Sequence, residues 1–177
     1  DKPDGLGNIE GTKNLGFMAE MGGHGAVDKV MRVSRTTKVK TDKVTLRDYN
    51  PEKPKLKLEA TVEGTDDGAH ELEVYQYPAR AADPGAAKRL AQILLESMQA
   101  ERDIVHGDTG VLTMAPGLRF EIEEHPYDPI NEEYMLTRVR LRGTTPRMGQ
   151  QKPGAEANAT FSCQFWGVPT KTTKYRP

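Results

Sequence analysis

Between Ala115 and Gly143, apolar and polar residues alternate in two runs separated by a proline-broken stretch. The first run places Leu118, Phe120 and Ile122 on one face and Arg119, Glu121 and Glu123 on the other. In the second, Tyr134, Leu136, Val139 and Leu141 take the core side, with one phase shift at Arg138. Strand side chains point to opposite faces in turn, so each run predicts a strand with one wet and one dry side. Pro126 and Pro129 in HPYDPINEE lack the N–H that a ladder needs, which predicts a wide turn and a long antiparallel hairpin.

Other segments repeat the pattern. From Val27 to Tyr49 the residues are β-branched and charged, and Val39, Thr41, Lys43, then Val44 and Leu46, predict one or two strands with a bulge or register change. NPEKP, Asn50 to Pro54, is a turn. Leu56, Leu58, Ala60 and Val62 alternate, and Leu72, Val74 and Gln76 stand opposite Glu73, Tyr75 and Tyr77. With GTDDG, Gly64 to Gly68, between them, these two runs predict a second hairpin. The last run, ATFSCQFWGVP, sets Phe161, Cys163 and Phe165 on one face and Trp166 and Val168 on the other, so both faces are expected to be covered near its end.

A helix is predicted in one place, from about Pro84 to Arg102. Asp83 is placed to cap it and Pro84 suits its first turn. Ala87, Leu90, Ala91, Leu94 and Met98 recur at helical spacing, with Lys88, Gln92, Glu96 and Gln99 opposite. The stripe Leu90–Leu94–Met98 is expected to pack on a sheet, with Gly107 ending the run; a helix offered to a partner's groove is the sharper alternative. Residues 1–26 read as an irregular, glycine-rich arm in which Leu15 to Met21 could form a short strand or helical turn. Thr144 to Ala157 is polar and rich in glycine and proline without periodicity, which predicts a mobile loop. The expected fold class is α+β, mainly antiparallel β, a barrel-like module with one packed amphipathic helix. The expected domains are the arm, 1–26, and the β-barrel region, 27–177.

Composition narrows the classes. With 177 residues and 36% apolar content the chain has little for a thick core, so partner chains are expected to complete it. Basic and acidic residues number 25 and 26, a formal net charge of −1, so no global field favours nucleic acid. A single cysteine, Cys163, excludes an internal disulfide and reads as a small buried hydrophobe. No apolar run is long enough to cross a bilayer as a helix, and the abrupt ends without an initiator Met read as a piece of a longer protein.

Candidate chemistry is sparse. His24, His70, His106 and His125 are scattered without the spacing of a zinc site. Glu123 and Glu124 adjoin, so on a strand they point apart and form no carboxylate pair. Asp103 and Asp108 beside His106 resemble a charge-relay fragment but lack a nucleophile turn. GGHG, Gly22 to Gly25, lacks the strand and helix that a phosphate loop needs, and Asp66 with Asp67 lacks the ligand series of a calcium loop. Arg32, Arg35, Lys38, Lys40 and Lys43 form a local basic patch, read as a solvated strand face. No catalytic, cofactor-binding or metal-ligating set is assigned, and no enzyme activity or cofactor is expected.

Several segments, taken in order, carry a resemblance: VTLRDYNPEKP from Val44, VYQYPAR from Val74, GAAKRLAQILLES from Gly85, and MAPGLRFEIEEHPYDPINEEYMLTRVRLRG from Met114. Together with the ending FWGVPTKTTKYRP, from Phe165, this order resembles the VgrG family, the spike proteins of type VI secretion, in the part similar to the phage tail baseplate hub. The resemblance covers residues 27–177. It implies a trimer whose chains each give two barrel-like modules to a pseudo-sixfold ring on the hexameric tube, with an oligonucleotide-fold domain and a needle projecting beyond. This chain would supply the second barrel, its helix and adjoining hub segments. The implied partners are two further copies in the full-length protein, the tube protein and baseplate components, with no nucleic acid and no membrane insertion by this segment. Assembly in the cytoplasm and then injection follow from the same resemblance. The alternative is an autonomous β-barrel module binding a saccharide or peptide. A clustered aromatic groove would favour it, yet four Phe, six Tyr and one Trp are spread along the chain.

Overall fold

The computed structural model describes residues 7–19, 28–64, 72–144 and 160–174. They form two units, one from residues 1–36 and 104–172, the other from 37–103 and 173–177.

The first unit is a closed, barrel-like ring of six strands. In ring order these are β1 (Asn14–Phe17), β2 (Lys29–Thr37), β6 (Asp103–Thr109), β9 (Thr160–Pro169), β8 (Glu133–Thr144) and β7 (Arg119–Glu123). Strands β7 and β8 are the expected hairpin, with Phe120 opposite Tyr134 and Glu121 opposite Glu133. Its wide turn holds a single 3-10 turn, Asp128–Ile130, and is clasped where Asn131 accepts from the His125 N–H and donates back to the His125 carbonyl. The phase shift read at Arg138 is a bulge: Leu136 faces Gly167 and Arg138 faces Trp166, leaving Thr137 as the extra residue. Leu136 and Val139, three apart, thereby both serve the core.

That core holds Leu15, Val30, Val105, Phe120, Ile122, Tyr134, Cys163 and Phe165. Phe120 meets Phe165 edge-on, ring centres 5.1 Å apart, and Tyr134 spends its hydroxyl on the Ile130 carbonyl at 2.9 Å. Such aromatic burial stabilises by roughly 1.5–3 kcal/mol per side chain, and the satisfied hydroxyl avoids the cost of a buried orphan. As expected, both faces of β9 are covered at its end, where Gly167, Val168 and Pro169 are buried.

The second unit is a three-stranded sheet, order β4 (Leu58–Glu63), β3 (Lys43–Asp48), β5 (Glu73–Gln76), covered on one face by α1 (Pro84–Gln99). Asp83 caps α1 by accepting from the Ala86 N–H at 2.9 Å, and Pro84 stands in its first turn. Val44 and Leu46 pack against Ala91 and Leu95, and Ala60 against Ala81 and Ala87. The NPEKP turn closes on Asn50, whose side chain accepts from the Glu52 and Lys53 N–H groups.

Six expectations are corrected. The arm is not irregular throughout: β1 lies in it, parallel to both β2 and β7, and buries Leu15. Four residues are too few to show a period, so the ring pairing decides for the short strand over the helical turn that Leu15 to Met21 also allowed. The β-rich region is not one barrel, because residues 37–103 build a separate sheet and helix. The second hairpin does not form: β4 pairs antiparallel with β3, and β5 pairs parallel with the other side of β3. Alternation marks a strand but not its neighbour. The helix ends at Gln99 and Gly107 lies within β6. Its buried line is Ala87–Ala91–Leu95, so Leu90 is exposed and Leu94 and Met98 only flank. Finally, Leu141 and Phe161 are exposed, because the β8–β9 pair runs past the end of the core. The expectations at Gly22 to Gly25, at Asp66 and Asp67, at His24 and His70, and at 145–157 lie outside the described residues.

Candidate functional site

The structure disperses the fragments of catalytic chemistry. His106 lies flat against Trp166 across the β6–β9 pair, ring centres 4.8 Å apart. Asp108 accepts from the Gln164 amide at 3.1 Å, and Asp103 accepts from the Thr37 hydroxyl at 2.6 Å and from Arg102. The three therefore serve separate structural partners. Glu123 holds Asn14 while Glu124 pairs with Lys29 at 3.2 Å. His125 meets Phe17 edge-on and accepts from the Tyr127 N–H within its turn. Cys163 is fully buried, and that burial, with Asp108 adding to it, pushes its thiol up to about 11, so it is a core atom and not a thiolate. Among the described residues no group of three or more His, Cys, Asp or Glu is placed to hold a metal ion.

The basic patch is divided between the two units. Arg35 binds the Glu132 carboxylate at 2.7 Å and the Pro129 carbonyl at 2.9 Å, while Lys43 lies near Glu63 and Glu73. Where the charge pattern suggested a solvated strand face, Arg35 and Lys43 thus stand in ion pairs, which contribute little singly when exposed.

Two surfaces remain. On the ring, Arg138, Arg140 and Arg142 project in a row from the outer face of β8, all exposed. Arg138 stands over the Trp166 ring at 5.3 Å, so Trp166 is flanked by a guanidinium on one neighbouring strand and His106 on the other. On the second unit, the sheet face away from α1 forms a cleft of about 470 Å³ with the 49–57 loop. Tyr49, Tyr75 and Tyr77 line it, each more than half exposed, together with Arg47, Lys55 and Lys57. Half of the chain's tyrosines are thus gathered in one place. Along the sequence the aromatics are dispersed, and only the β3–β5 pairing brings residue 49 beside 75 and 77.

With this architecture in view, comparison with known proteins places the chain. Residues 1–146 match the family described as the phage tail baseplate hub (GPD). The chain belongs to that family. Two solved structures share the hub fold at 12% identity: the 43 kDa tail protein of prophage MuSo2 from Shewanella oneidensis and a tail protein from Neisseria meningitidis. Their TM-scores are 0.59 and 0.58, covering 94% and 95% of this chain and 47% and 48% of theirs. Among curated proteins, this hub chain is 32% identical over 133 residues to the type VI secretion system spike protein VgrG4b of Pseudomonas aeruginosa. It is 23% identical over 164 residues to VgrG3 of Vibrio cholerae. These alignments cover 74% and 92% of this chain but 16% of either relative, so the hub chain corresponds to a minor part of each spike protein. The first 26 residues, which the sequence resemblance left out, fall within the family match.

Proposed function

We propose that this chain is a structural, non-enzymatic segment of the spike of a type VI secretion apparatus, forming part of the ring that caps the tube and carries the needle. The observation that carries this reading is the baseplate-hub family match across residues 1–146, supported by the similarity to two type VI spike proteins. In this reading three copies assemble within the full-length protein and meet the tube protein and baseplate components. Assembly takes place in the cytoplasm and the spike is then injected. The helix α1 is not long and apolar enough to cross a membrane.

Replacing the corresponding segment of a working spike protein with this chain tests the reading. Export of the chimera, against none from a deletion of the same segment, is the expected result. A chimera that is folded yet exported no better than the deletion would overturn it. The purified chain should also leave peptidoglycan and ester substrates unchanged; turnover abolished by one carboxylate substitution would contradict the non-enzymatic part.

A further inference from the structure

We propose that the tyrosine-lined cleft of the sheet–helix unit is a docking site for an extended, acidic segment of a partner protein. This inference does not depend on the spike reading; it rests on the cleft alone.

Three features of the cleft converge. The first is unspent aromatic surface. Tyr49, Tyr75 and Tyr77 are 58%, 56% and 58% exposed, and tyrosines that line a concave surface offer large contact area at small entropic cost. The second is unspent charge. Arg47, Lys55 and Lys57 have no carboxylate partner among the described residues, whereas Lys43 on the same sheet has two. Of the two acids in the lining, Asp48 is already engaged, accepting from the Tyr49 N–H at 2.8 Å and the Ala81 N–H at 3.1 Å. Among the described residues the lining therefore carries three cations without an ion pair, Arg47, Lys55 and Lys57, against two carboxylates, Asp48 and Glu59, an excess of one positive charge.

The third feature decides the class of ligand. Strand β5 is an edge: it pairs with β3 on one side, and no described strand pairs with its other side. The Leu72 carbonyl accepts from the Lys43 N–H, so by alternation Val74 and Gln76 turn their main-chain groups to β3. Those of Glu73 and Tyr75 point outward. A strand laid along this edge would find donors and acceptors already aligned, which is the β-augmentation mode of peptide recognition. Tyr75 and Tyr77 stand two residues apart, the spacing at which an incoming strand repeats a side chain on one face. A saccharide could stack on the tyrosines but would leave this edge unused.

A second copy of the chain fits less well. The acidic strand face of the ring, Glu121 and Glu123, is already engaged by Lys13 and Asn14. Hence the partner is assigned as a different, acidic chain.

The test uses fluorescence anisotropy with a labelled peptide of alternating glutamate and valine, about ten residues long so that it spans a full strand. Matched lysine–valine and serine–valine peptides and a uronate oligosaccharide are the comparisons. The acidic peptide should bind, and raising the salt should weaken it. Tyr75→Ala and Arg47→Glu should each weaken binding by about tenfold or more, as for an interface anchor. Tyr75→Phe should retain it. Both residues are exposed, so each variant's far-UV circular dichroism should match the parent. A peptide N-methylated at alternate residues should bind less tightly, since it cannot complete the ladder. The proposal is overturned if no peptide binds at millimolar concentration, if basic and acidic peptides bind alike, or if Tyr75→Ala has no effect. Binding by the uronate oligosaccharide alone, or a dimer in sedimentation velocity that Tyr75→Ala dissociates, would also overturn it.

Discussion

Gly107 lies directly beneath the ring of Phe165: a Cβ at that position would stand 2.5 Å from Phe165 Cζ and 2.8 Å from Cε1. It would also collide with the Arg32 carbonyl on the neighbouring strand. Phe165 in turn meets Phe120 edge-on, so this one missing methyl sets how closely β6 and the central aromatics approach. Gly107→Ala should therefore overpack the ring and destabilise it by about 1–3 kcal/mol. Denaturation followed by Trp166 fluorescence reads this, since Trp166 is the chain's one tryptophan and belongs to the ring. A change under about 0.5 kcal/mol, as at surface sites, would mean that the close approach is absent.

The helix makes a graded prediction. Leu95 is buried against Val44 and Leu46, Leu94 flanks that cluster, and Leu90 is exposed. Leu95→Ala should cost about 2–5 kcal/mol, with Leu94→Ala smaller and Leu90→Ala near zero. The helical circular dichroism signal reports it, because α1 supplies the α-helix of the described residues. Equal losses at all three positions would contradict the observed rotation of the helix.

Around Glu133, acid should loosen the ring. The hydrogen bond from Lys13 holds the Glu133 carboxyl below its ordinary value of 4.5, helped by the Thr170 hydroxyl and opposed by burial. A depressed carboxylate contributes stability that is present above its unfolded value and is lost as pH falls through the folded one. The melting temperature should thus decline as pH drops below about 4.5, and Glu133→Gln should lower it at neutral pH while flattening that decline. Lys13 is raised by the same hydrogen bond, so its share persists below 10.5 and is lost only in stronger alkali. If Glu133→Gln leaves the acid limb unchanged, the pair does not act as described.

Cys163 should resist alkylation in the native chain at neutral pH and react fully once denaturant is added, since its side chain is buried and its thiol is pushed up to about 11. Stability tied to the neutral thiol holds below the ordinary value of 9.0 and is lost as pH rises toward 11. Labelling by iodoacetamide with mass spectrometry decides it; rapid native modification would place Cys163 at the surface.

Much of the local structure was legible because period and punctuation are local. Phe120, Ile122, Tyr134 and Leu136 declared their core faces by alternation, and the polar step at Arg138 announced a phase shift, which the register shows to be a bulge at Thr137. Asp83 and Pro84 announced the start of α1. Pairing was not legible, because hydrogen bonds between strands join backbones and leave no mark on side-chain type. Only the tertiary structure decided that β1 enters the ring between β2 and β7, and that β5 lies parallel to β3 instead of folding back on β4. It also decided which helical leucine is buried, since a stripe of Leu90, Leu94 and Leu95 is apolar over a wider arc than one sheet can cover. The same pairing gathers Tyr49, Tyr75 and Tyr77 around one cleft: alternation placed the last two on one face of a strand, and only the position of β3 supplies the third.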